Sequence, residues 1–136
     1  MNTKVILVML VAVFLAGCTS KEYFYYNGNE KISLNYVGTV NDSLVFEDKS
    51  SGQKLTLGDT FIVQLKEGST KEELDILNER YKVQISRNVL YAENQFILKV
   101  TPESGMSSLE MANRYHAESI IEWSQPNFLR EYDLNR

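Results

Sequence analysis

The sequence holds one Cys and one His, Cys18 and His116, the two residue types most often used as nucleophile, base or soft-metal ligand. A lone Cys makes no disulfide within the chain. One Cys and one His cannot build a site that needs several such ligands. Nucleophilic catalysis of the triad kind needs a nucleophile, a base and an orienting group brought together. No segment assembles that set, and His116 falls late in a predicted helix, where a surface or boundary position is expected. The expectation is a non-enzyme with no metal and no cofactor. The formal net charge of −4 argues against a nucleic-acid protein working by phosphate neutralisation. What Cys18 does depends on the residues before it.

Lys4 is the only charge in the first twenty residues, and an unbroken apolar run from Val5 to Gly17 follows it. As a helix that run spans roughly 20 Å, short of a ~30 Å hydrocarbon core. A basic start and a short apolar run read as a signal peptide. The run ends in Leu15-Ala16-Gly17-Cys18, which resembles the lipobox of bacterial lipoproteins. The resemblance implies that residues 1–17 are removed and that the thiol of Cys18 takes a diacylglyceryl group. Several acyl chains on one Cys give a stable membrane anchor. The folded part is then expected outside the cytoplasm, in the bacterial cell envelope. Thr19 carries no acidic retention signal, which favours the outer membrane.

Residues 18–58 read as a lipidated N-terminus and a β-rich extension. Tyr23, Phe24, Tyr25 and Tyr26 precede Asn27-Gly28, a hairpin signal. The four aromatics are expected to alternate, with every second ring packing inward. Ile32, Leu34 and Tyr36 alternate with polar residues as a half-buried strand does. Residues 40–46 read as strand, turn, strand. Ser50-Ser51-Gly52 marks a further turn and Leu55-Thr56-Leu57 a short strand.

Residues 59–128 show a clearer order. Phe61-Ile62-Val63-Gln64-Leu65 is an apolar strand stopped by Gly68. Ser69 with Glu72 forms a capping-box pattern ahead of a helix whose apolar stripe is Leu74, Leu77 and Tyr81. Strands beginning at Val83 and Gln95 follow, with a turn near Ala92-Glu93-Asn94. Ser107 with Glu110 caps a second helix, and Met106 and Met111 stand at the staple positions. Ile120, Ile121 and Trp123 make a last short strand that Pro126 is expected to end. The order β-α-β-β-α-β predicts an α+β fold, a ferredoxin-like sandwich of two helices on an antiparallel sheet. The helix-free face is expected to be covered by the N-terminal extension, by a partner, or by both.

The run from Phe61 to Arg130 resembles the prodomain of subtilisin-like serine proteases, the same module as the I9-type inhibitors. The resemblance is carried by the opening strand, by Gln95-Phe96-Ile97-Leu98-Lys99-Val100-Thr101-Pro102, and above all by Gln125-Pro126-Asn127-Phe128. It implies that the sheet face packs on a protease. It also implies that residues 129–136 form an extended tail entering the active-site cleft as a substrate-like strand. Carried over by position, Tyr132 fills the main specificity pocket, Glu131 and Arg130 precede it, and Leu129 fills a distal apolar pocket. No segment resembles the catalytic motifs of such a protease. The expected function is a membrane-tethered inhibitor or folding assistant of a subtilisin-like protease. The alternative is a non-catalytic envelope lipoprotein that binds a protein or glycan.

Overall fold

The computed structural model describes residues 21–89 and 92–129. The signal segment, Cys18 and the tail residues Arg130, Glu131 and Tyr132 lie outside the described residues.

The chain enters through β1 (Tyr23–Asn27) and β2 (Glu30–Val40). Asn27 pairs with Glu30, so the hairpin loop is Gly28-Asn29, one residue later than the sequence suggests. Gly28 sits at φ 64°, and a positive φ at the first loop position is what a type II′ hairpin demands of a glycine. Next comes β3 (Ser43–Asp48), reached by a second two-residue turn in which Val40 pairs with Ser43. Asn41 and Asp42 both take positive φ there, the type I′ conformation that their short polar side chains tolerate.

The next strand, β4, runs for twelve residues from Lys54 to Leu65. It is followed by α1 (Lys71–Tyr81), β5 (Val83–Asn88), β6 (Gln95–Val100), α2 (Ser108–His116) and β7 (Ile121–Leu129). Ser107 accepts from the Glu110 amide at 3.2 Å, as the sequence predicts. The first helix is capped by Thr70, which accepts from the Glu73 amide at 3.2 Å, one residue beyond the predicted Ser69.

All seven strands join in one antiparallel sheet. The first part of β4 pairs with β3, from Glu47 opposite Lys54 to Val45 opposite Thr56. Its second part pairs with β6, from Thr60 opposite Lys99 to Gln64 opposite Gln95. Strand β7 occupies the other edge of β4, from Leu129 opposite Thr56 to Ile121 opposite Leu65. The sheet therefore continues through β4 into β3, β2 and β1, and it curls into a half-barrel.

This overturns the expected ferredoxin-like two-helix sandwich with a separate N-terminal extension. The molecule is mostly antiparallel sheet, and its N-terminal strands extend that sheet sideways. The physical reason lies in β4. Leu55-Thr56-Leu57 and Phe61–Leu65 read as two strands in separate segments that meet between residues 58 and 59. They are one strand with an irregularity between Leu57 and Phe61. Gly58 is there because β7 comes close: a Cβ on it would stand 3.0 Å from the Asn127 carbonyl oxygen. Pro126 does not end pairing either. It lies opposite Phe61 in β7, which has β4 on one side only, and proline is tolerated on such an edge strand.

Two apolar clusters hold the sheet in its curl. One gathers Phe61, Val63 and Leu65 of β4 with Leu74, Leu77, Leu98, Met111, Ala112 and Tyr115. The other gathers Leu34, Phe46, Leu57 and Leu109, with Tyr23, Tyr25, Ile32 and Phe128 packed against it. Helix α2 contributes Leu109 to one cluster and Met111, Ala112 and Tyr115 to the other. It thus joins the two ends of the curled sheet.

Candidate binding groove

The expected alternation of the aromatic run is present. Tyr23 and Tyr25 pack on the inner cluster, while Phe24 and Tyr26 sit on the opposite side of β1. The Tyr26 ring stacks on His116, with centroids 3.9 Å apart and planes 6° apart. The Asn113 side-chain amide donates to the Phe24 carbonyl at 2.8 Å. These contacts pin β1 against α2 and bring its end toward β7.

Between β1 and β7 lies a groove of about 1020 Å³. Its apolar walls are Tyr25, Leu55, Ile62, Pro126 and Phe128, with the rings of Tyr25 and Phe128 edge to face at 5.1 Å. Its polar groups are chiefly amides: Asn27, Gln53, Gln125 and Asn127, with Lys54 at the mouth. Asn127 is oriented by donating to the Thr60 hydroxyl at 3.1 Å.

The wall at Gly52–Leu55 is set by the turn that precedes β4. The Asp48 carboxylate accepts from the Ser50 amide at 2.8 Å, from the Ser50 hydroxyl at 2.7 Å and from the Ser51 amide at 3.3 Å. Those bonds favour the ionised form and lower the Asp48 pKa. The Tyr25 phenol is raised above its ordinary value, first by burial and then by the negative charges of Asp48 and Glu30. It stays a neutral hydroxyl in the groove at physiological pH.

Chemically, the groove offers surface and hydrogen bonds. No group of three His, Cys, Asp or Glu side chains able to hold a metal occurs among the described residues. Among the described residues, strands β1 and β7 each have one neighbouring strand, β2 and β4 respectively, and both contribute residues to the groove. An extended chain lying there would meet main-chain donors and acceptors as well as side chains.

Of the four tail residues, Leu129 is described: it closes β7 opposite Thr56, lines the groove and is 38% exposed. Arg130, Glu131 and Tyr132 lie outside the described residues, as does Cys18. Sequence reasoning picked out Tyr25 and the run to Phe128 separately and did not join them, because only the curl of the sheet brings opposite ends of the chain together. Among the described residues no helix is long and apolar enough to cross a membrane. Compared with known proteins, the chain matches no family model, no curated protein and no solved structure.

Proposed function

We propose that this is a non-catalytic, lipid-anchored binding protein of the bacterial cell envelope that takes up an extended polypeptide segment in the groove between β1 and β7. The observation that carries the reading is the groove itself: an aromatic pair, Tyr25 and Phe128, beside two strands with one neighbour each. Strand addition supplies affinity through the main chain, and the pockets between side chains supply selection. The amides of Asn27, Gln53, Gln125 and Asn127 suit the peptide groups of such a segment. The envelope anchor is supported by Lys4, the apolar run and Leu15-Ala16-Gly17-Cys18.

The test is selection of random displayed peptides on residues 19–136. Enriched peptides are expected to slow amide exchange in 125–129 and 23–27, and to lose binding to Y25A and F128A. Failure to enrich any peptide, or binding indifferent to both substitutions, rejects the groove reading.

A second reading makes the partner a subtilisin-like serine protease, inhibited or assisted in folding in trans. It is favoured by the resemblance carried by Gln125-Pro126-Asn127-Phe128 and by the position of that run on an edge strand leading to Leu129, Arg130, Glu131 and Tyr132. Under it, residues 19–136 reduce the activity of subtilisin in a peptide-hydrolysis assay, and removal of 130–136 abolishes the effect. Unchanged protease activity across a panel of such enzymes discards this partner and leaves the groove reading standing.

A further inference from the structure

Among the described residues, three of the five exposed large apolar side chains lie on one half of β2; the others are Ile76 on α1 and Leu129 at the end of β7. Tyr36, Val37 and Val40 are 48%, 50% and 54% exposed. This half of the strand pairs with β3 on one edge. On its other edge β1 reaches only as far as Tyr23, opposite Leu34, and no described strand continues the pairing. A bulge interrupts the ladder between Tyr36 and Gly38, and the register sets Tyr36 opposite Phe46 and Val40 opposite Ser43, so this half-strand bears apolar side chains on both faces along its edge. An open strand edge carrying an aromatic and two valines is a contact surface.

The chain enters the fold beside this edge. The Lys21 ammonium lies 5.3 Å from the Tyr23 ring centroid, and the Tyr23 and Tyr36 rings are 5.9 Å apart. Lys21 is fastened to α2 by a 2.6 Å ion pair with Glu110. Cys18 stands three residues earlier. At no more than ~3.6 Å per residue, its Cα lies within about 11 Å of the Lys21 Cα in any conformation. Under the proposed anchor, acyl chains on Cys18 would hold this end of the molecule at the headgroup layer.

We propose that the half-strand Tyr36–Val40 is a membrane-contact edge, with Tyr36, Val37 and Val40 seated in the interfacial layer of the bilayer that holds the acylated Cys18. A tyrosine suits that layer, since its ring is apolar and its hydroxyl remains wet. The consequence is an orientation. Asn27 pairs with Glu30, at the opposite end of the eleven-residue β2 from Val40. At ~3.3 Å per residue that is roughly 35 Å of strand. The β1–β2 turn and the end of the groove at Asn27 then face away from the membrane, open to a partner in the envelope. The inference rests on the anchor reading and is independent of what the groove holds.

The test uses the full-length lipoprotein as the cell processes it, reconstituted in vesicles of phosphatidylethanolamine and phosphatidylglycerol. V37C, V40C and, in the β1–β2 turn, N29C each receive a polarity-sensitive fluorophore; acylation has already consumed the Cys18 thiol. Lipid-borne quenchers are expected to quench positions 37 and 40 several-fold more than position 29, with blue-shifted emission at both. Iodide in solution should give the reverse order. Equal quenching at all three positions overturns the orientation. Shielding from iodide at 37 and 40 without lipid quenching marks a second copy or another protein on this edge, and also overturns it. The mass of the mature N-terminal peptide is read in parallel. An unmodified Cys18 overturns the anchor and the orientation together, whereas an acylated chain with equal quenching overturns the orientation alone.

Discussion

Tyr115 shows what a single buried hydroxyl contributes to this core. Its ring is fully buried and meets Phe61 edge to face at 5.0 Å, and its hydroxyl donates to Asn78 Oδ1 at 2.7 Å. Asn78 is itself 5% exposed, and its amide nitrogen has no partner among the described residues. Tyr115→Phe keeps the packing and strands the Asn78 oxygen, so it is expected to cost about 1–3 kcal/mol in urea unfolding. Asn78→Leu with Tyr115→Phe removes both partners, and the pair should cost less than the two single changes added. Strict additivity would show that the bond carries no coupling.

The same phenol sets a pH limit. Burial, first, and then Tyr81 and Glu118 raise its pKa well above the ordinary tyrosine value of 10.0. The unfolded chain releases that proton near pH ~10 and the folded chain does not. The contribution is complete below pH ~10 and is lost as pH rises from there toward the folded value. Stability of the wild type should therefore fall more steeply above pH 10 than that of Y115F. Identical slopes in alkaline denaturation would remove this group from the account.

At the scale of elements, β4 decides the architecture, and Gly58 decides β4. Ala at this position places a methyl group 3.0 Å from the Asn127 carbonyl oxygen, a main-chain atom that cannot swing aside. The Ser108 hydroxyl also donates to the Gly58 carbonyl at 2.6 Å, which ties the start of α2 to the same spot. Gly58→Ala is expected to destabilise by ~1–3 kcal/mol through forced displacement of β7, with loss of amide protection at 126–129 in hydrogen exchange. Unchanged protection there would show that the irregularity in β4 absorbs the methyl. The local signals were legible in the sequence: the cap at Ser107, the turn at Asn41-Asp42, the apolar stripe of α1 and the alternation from Tyr23 to Tyr26. Each depends on neighbours within a few residues. The continuity of β4 was not legible, because its irregularity breaks the two-residue period at Gly58, and a glycine required by a neighbouring strand looks like one that ends a strand. The groove was hidden for a related reason, since Tyr25 and Phe128 meet only after β4 has joined the two halves of the sheet.

For the whole molecule, this joining predicts that residues 59–128 do not fold by themselves. The inner cluster draws Leu34 and Phe46 from one side and Leu57 and Leu109 from the other, with Tyr25 and Phe128 across its rim. Removing residues 21–58 takes away Leu57 with its strand half and uncovers Leu109 and Phe128. Burial of an apolar side chain of this size contributes ~1.5–3 kcal/mol. Losing several such burials, together with the pairing of Thr56 and Leu57 to β7, consumes much of the ~5–15 kcal/mol by which a domain is stable. Residues 19–136 are expected to unfold in one transition, with Trp123 fluorescence on β7 and far-ultraviolet circular dichroism giving the same midpoint. A chain starting at residue 59 is expected to lack that transition and to expose Trp123 to quenchers in water. A fragment that unfolds cooperatively near the midpoint of the longer chain would instead make β1–β3 an appendage. The curl that forms the groove would then be an accessory to the fold rather than a condition of it.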